Sequence, residues 1–206
     1  MPEPARRSVK DLPEAYEMTA SFDIAKRKVL AVALNALAAV SIFGFAALFL
    51  TITWLLRPSL EGFSLQISLA RGGFWLAVLR VTILSFVMVV LHEGAHGIVF
   101  RIINGEWGTF AFKGLYAYAA APGWYMPRNQ HILAALAPVL GLSLVGVIMI
   151  LVVPQGWLPT VLLLLILNAA GSVGDLAIVV WLLTKPRSVY VADYGDGVAV
   201  YASNPG

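Results

Sequence analysis

The chain of 206 residues is 60% hydrophobic and only 12% charged, against about 45–50% and about 25% in soluble domains. That balance excludes an ordinary soluble domain and predicts a polytopic membrane protein of one compact domain. A net charge of +3 is too small to argue for nucleic acid, and the absence of cysteine excludes disulfides, thiolate metal sites and a thiol nucleophile.

In chain order, residues 1–28 form a polar N-terminal segment. Its first part, with three prolines, reads as loosely ordered; Asp11-Leu12-Pro13 opens a turn, and Ser21-Phe22-Asp23 caps a helix running into the first span. The segment is too polar, and the apolar run after it too long, for a cleavable signal peptide. Residues 29–56 are the first spanning helix, ended by Arg57-Pro58; about 20 apolar residues suffice to cross a bilayer. Residues 74–100 are the second span, 132–153 the third, with Pro138 near its start, and 157–183 the fourth. In the second span, Arg80 reads as a side chain snorkelling to the interface. Between the second and third spans, Thr109-Phe110-Ala111-Phe112 and Leu115-Tyr116-Ala117-Tyr118 flank Lys113-Gly114, which predicts a β-hairpin. The tail, 188–206, alternates Val and Tyr about Asp193-Tyr194-Gly195-Asp196-Gly197 and predicts a second small hairpin. The expectation is an all-α polytopic membrane protein: an N-terminal segment, 1–28; a four-helix membrane domain, 29–187, with one small hairpin; and a short tail, 188–206. Basic residues concentrate in the N-terminal segment, the 101–130 connection and the tail, so the positive-inside rule places these and both termini in the cytoplasm.

The second span carries His92-Glu93-Gly94-Ala95-His96. Residues i and i+4 share a helix face, so the two imidazoles can bind one metal ion, and Glu93 lies beside it where a general base is needed. Ionisable groups inside a membrane helix are expensive and mark function. His92 and His96 lie nine and five residues before the cytoplasmic exit at Arg101, about 14 and 8 Å along the helix. Asp175, in the fourth span, lies ten residues before Lys185, about 15 Å by the same rise. Matched depth makes Asp175 the candidate third ligand of a zinc ion, with the fourth position open for water. His131 reads as an interfacial, solvated residue, and Glu106 falls outside the membrane. Gly94, Ala95 and Gly97, with Ala169, Ala170, Gly171 and Gly174, read as small residues that let the second and fourth spans approach. Asn168 shares a face with Asp175 two turns earlier. It is a candidate substrate-binding residue, offering hydrogen bonds to substrate backbone or an oxyanion; the alternative is an interhelical polar contact.

His92-Glu93-x-x-His96 in one span, followed in a later span by Asn168-x6-Asp175, resembles the site-2 type of intramembrane metalloprotease. The chain is more similar still to a prokaryotic family of zincin-like membrane peptidases of unknown function. Leu12-Pro13-x-x-Tyr16, the H-E-x-x-H-G element ending at Gly97, Leu136-Ala137-Pro138 and Ser172-Val173-Gly174-Asp175 carry that likeness. It departs from the site-2 pattern, which has Leu-Asp-Gly where this chain has Gly174-Asp175-Leu176. The resemblance implies a membrane-embedded zinc endopeptidase of the prokaryotic plasma membrane, acting on membrane proteins or peptides. Two other classes use the same residues: a membrane metal-binding or metal-transport protein, which has no need of Glu93 as a base, and an inactive scaffold that binds transmembrane segments.

Overall fold

A computed structural model of the chain describes residues 7–24, 26–58, 71–112, 117–195 and 197–203. Among these, four helical segments are long and apolar enough to cross a membrane: Lys28–Leu56, Gly73–Asn104, Arg128–Val152 and Gln155–Leu183. The first is helix α1 (Lys28–Leu56) and the second lies within α2 (Arg71–Asn104). The third comprises α3 (Arg128–Ala137), a π turn (Pro138–Leu142) and α4 (Ser143–Val152). The fourth is a 3-10 turn (Gln155–Trp157), α5 (Leu158–Gly171) and α6 (Val173–Leu183), with Ser172 at the junction. Large apolar side chains face outward: Phe43 is 78% exposed and Trp54 68%. A surface of that kind needs an apolar solvent or a partner.

The strands gather at one end of the bundle, where α1 and α3 begin and α2 and α6 end. There β1 (Tyr16–Asp23), β4 (Tyr125–Pro127), β5 (Tyr190–Asp193) and β6 (Gly197–Ser203) make a four-stranded antiparallel sheet in the order β1-β6-β5-β4. A separate pair, β2 (Thr109–Phe112) and β3 (Ala117–Ala120), forms a two-stranded sheet between α2 and β4.

This sheet corrects the all-α expectation. The stretch containing Ser21-Phe22-Asp23 is not a helix cap but strand β1, paired from Tyr16↔Ser203 to Asp23↔Gly197. The turn that leads to α1 follows it, where the Lys26 amide donates to Asp23 Oδ1 at 3.0 Å. Alternation places Phe22 inward, its ring 5.5 Å from that of Trp181 on α6. Val191, Val198 and Val200 of the sheet pack with Leu182 of α6 in one buried cluster. The tail hairpin is present, but as the centre of a larger sheet. Its turn relies on Gly195, whose φ of +80° suits glycine.

A second cluster joins Phe49 of α1 to Ile150, Leu162 and Leu165 of the other helices. A Cβ at Gly146 would meet Leu165 at 2.4 Å, so α4 and α5 approach closely there.

Candidate metal centre and active site

Helix α2 presents His92 and His96 on one face, with ring centroids 5.1 Å apart. Asp175, in the first turn of α6, meets both. Its Oδ2 lies 3.1 Å from His92 Nε2, and its Oδ1 lies 3.5 Å from His96 Nε2. One ligand atom from each of the three residues falls within 4.8 Å of the others.

The tautomers follow from backbone carbonyls, which can only accept hydrogen bonds. His96 Nδ1 lies 2.8 Å from the Ala134 oxygen and must donate to it. Asn168 Nδ2 donates to the Pro138 oxygen at 3.0 Å, which fixes the amide orientation. Asn168 Oδ1 is then the atom 3.1 Å from His92 Nδ1, and His92 must donate. In the neutral imidazoles both Nε2 atoms are then left with lone pairs, and both point at the Asp175 carboxylate. Such a cluster is satisfied by positive charge, as protons on the imidazoles or as a metal ion held between the three side chains. Two imidazoles and one carboxylate are a donor set that suits zinc and leaves an open position.

The third span supplies both carbonyls, Ala134 from α3 and Pro138 from the π turn, and one residue explains why the first is available. Ala134 would normally accept from the amide four residues later, but position 138 is proline and has no N–H. The helix widens into a π turn from Pro138, a feature frequent at functional sites. The Ala134 oxygen holds His96 directly, and the Pro138 oxygen holds His92 through Asn168. Such outer partners orient ligands and raise their basicity.

Glu93 points to the same space and accepts from the Ala119 amide at 2.5 Å. Ala119 is paired with Phe110 across β2–β3. Its amide is turned away from that partner, so the free edge of β3 faces the motif. The hairpin sits on α2 through Gly97, where a Cβ would meet the Phe110 ring at 2.4 Å. Gly97 therefore admits the hairpin rather than the fourth span. Gly171 and Gly174 border the cavity with open space where a Cβ would project. The expected close-packing role of these glycines is thus replaced by making room.

A cavity of about 560 Å³ opens over the site, bordered by His92, Glu93, His96 and Asp175 below and by Asp193 and Gly195 of the tail turn above. Asp193 Oδ1 accepts from the Gly195 amide at 2.8 Å. Burial pushes its carboxyl up to about 7, the Gly195 hydrogen bond opposing. Tyr118 of β3 lies against Gly195, where a Cβ would meet its ring at 2.1 Å. The tail turn and the hairpin close over the cavity together.

His92, His96, Asp175 and Glu93 are thus brought together, as their spacing and depth suggested. Asn168 is buried, and both ends of its amide are engaged, with His92 and with Pro138. Glu106 lies apart, in an exposed ion pair with Lys10 at 2.8 Å. Arg80 donates to Thr160 Oγ1 on α5. His131 departs from expectation: it is not solvated but 3% exposed, and its ring borders the cavity. The stripe Arg128, His131, Ala134, Ala135 and Pro138, all buried, shows why. It follows the i, i+3, i+4 spacing of a single helix face, a signal present in the sequence. Asp193, Ala119 and the carbonyl of Ala134 had no such signal, because each acts through a neighbour distant in the chain.

Comparison with known proteins adds one match. The model of a family described as "Putative zincin peptidase" matches residues 85–190, which include the helices and strands that carry the site. No curated protein and no solved structure matches the chain.

Proposed function

The chain belongs to that zincin peptidase family, and on this premise we propose that it is a membrane-embedded zinc endopeptidase that hydrolyses peptide bonds of membrane or membrane-proximal substrates. The observation that carries the proposal is the convergence of His92, His96 and Asp175, whose potential ligand atoms lie within 4.8 Å of one another. The two histidines and Asp175 would hold the zinc. A zinc ion there supplies Lewis acidity, polarising a carbonyl and lowering the pKa of water to about 7.

The protein's own groups supply the rest. Glu93 takes a proton from the attacking water and delivers it to the leaving amine as the C–N bond breaks. Ala119 orients Glu93 through its amide. The free edge of β3 is placed to align an extended substrate by β-augmentation, adding backbone hydrogen bonds beside the scissile bond. The cavity bounded by the hairpin and the tail turn limits access by water. Four apolar helices support a place in the membrane. The distribution of basic residues supports cytoplasmic termini and a cytoplasmic strand layer, in the plasma membrane of a prokaryote.

The test is detergent-purified protein assayed for zinc content and for cleavage of transmembrane peptides, wild type beside Glu93→Gln. The proposal requires stoichiometric zinc in both and cleavage only in the wild type. Metal transport that survives Glu93→Gln, in a protein without cleavage, would assign the site to transport. Wild-type protein without stoichiometric zinc would point to a scaffold.

A further inference from the structure

His131 stands in α3 one helical turn before Ala134, the residue whose carbonyl holds His96. It shares that helix face. The residue is only 3% exposed, and it borders the cavity together with Glu93, His96 and Asp175. Its Nδ1 is buried with no hydrogen-bond partner among the described residues. Leaving a buried polar atom unpaired costs about 1–3 kcal/mol, so such an atom in a native structure calls for an explanation.

The polarity of the ring follows from which orphan is cheaper. Buried N–H groups without an acceptor are rarer than under-satisfied acceptors. The proton therefore belongs on Nε2, leaving Nδ1 as the bare acceptor. Nδ1 is sealed from solvent, so the ring meets the cavity along its other edge, which carries the Nε2 hydrogen. The cavity thus receives a neutral N–H donor from α3 in the space that Glu93 of α2 and Asp175 of α6 also line. A donor there has no hydrogen-bond partner among the described residues and matches an oxygen that arrives with substrate.

We propose that His131 is a further catalytic residue, whose Nε2–H binds the carbonyl oxygen of the scissile peptide and stabilises the negative charge that develops on it. This rests on the zinc-peptidase reading above. In the step concerned, the water oxygen bonds to the carbonyl carbon and the π pair moves onto the carbonyl oxygen. Glu93 receives the water proton. His131 transfers no proton; it donates a hydrogen bond that strengthens as the oxygen becomes charged.

The test compares His131→Phe, which fills similar space without a donor, with His131→Gln, which keeps an N–H. Zinc content, kcat and KM are measured, with the affinity for a phosphonate peptide as a mimic of the charged tetrahedral state. His131→Phe should keep zinc and KM, lose roughly 100- to 1,000-fold in kcat, and lose phosphonate affinity by a comparable factor. His131→Gln should recover part of both. Wild-type kcat in His131→Phe overturns the proposal, and so does a rise in KM alone. Loss of zinc in both variants would make His131 a ligand and overturn it too. If His131→Phe does not fold, His131→Gln decides, since an unchanged kcat/KM with weakened zinc gives the ligand role. Failure of the underlying reading is separately visible, as zinc-loaded wild type without cleavage, and it removes this inference with it.

Discussion

His96 Nδ1 lies 2.8 Å from the carbonyl oxygen of Ala134, an oxygen that Pro138 leaves without its helical partner. A proline in a helix interior costs about 3 kcal/mol. Here it releases an acceptor at the depth where His96 uses one.

Replacing Pro138 by Ala should therefore move stability and function in opposite directions. The restored amide competes with His96 for the Ala134 oxygen. Metal-free Pro138→Ala should melt at a higher temperature than wild type while binding zinc more weakly, by roughly 10- to 100-fold. Isothermal titration and thermal melts of the metal-free protein check both. Unchanged zinc affinity would show that His96 does not depend on this carbonyl.

Asn168 links Pro138 to His92, so it should act on the metal and not on the substrate. Asn168→Ala should weaken zinc binding by roughly 10- to 100-fold and leave KM unchanged at saturating zinc. Asp175→Ala should weaken zinc binding further, since it removes a ligand. A raised KM with wild-type zinc affinity in Asn168→Ala would return Asn168 to substrate contact.

The edge of β3 can be tested with proline. The Ala119 amide bonds Glu93 rather than β2, so Ala119→Pro should keep the hairpin, as proline is tolerated on a free edge. It removes one backbone donor from both Glu93 and an incoming strand. Zinc content should be unchanged and kcat/KM should fall roughly 10- to 100-fold, about 1.4–2.8 kcal/mol of lost transition-state stabilisation. Full activity would exclude substrate alignment on this strand.

Asp193 gives a pH dependence. Its folded pKa of about 7 lies above the ordinary 3.8. Below about pH 4 the carboxyl is protonated in the folded and unfolded chain alike, and it costs nothing. As pH rises toward 7, the unfolded chain ionises first and folded stability falls; the loss is complete above about pH 7. Metal-free Asp193→Asn should match wild type near pH 4 and exceed it at pH 8. The difference should be on the order of 1–3 kcal/mol, reduced from the full shift because the side chain is only half-buried. Zinc should shrink the difference, because a nearby cation favours the carboxylate. Parallel stability curves for the two proteins would exclude an effect of Asp193.

The four spans, the shared face of His92 and His96 and the neighbouring place of Glu93 were all legible from the chain. Hydropathy over about 20 residues and helical periodicity are local properties. Asp175 could be matched by depth, because the rise per residue is constant along a helix. Three things needed the folded molecule. β1 pairs with β6 across most of the chain's length, and nothing in 16–23 names its partner. Pro138 announces a spare carbonyl in the sequence, but only the packing of α2 on α3 delivers His96 to it. His131 carries the stripe of a buried face, yet whether that face meets lipid, protein or a cavity depends on where α3 sits. The spacing of residues sets which groups share a face. What each face meets is a long-range matter, settled when the helices pack and their unpaired donors and acceptors find partners.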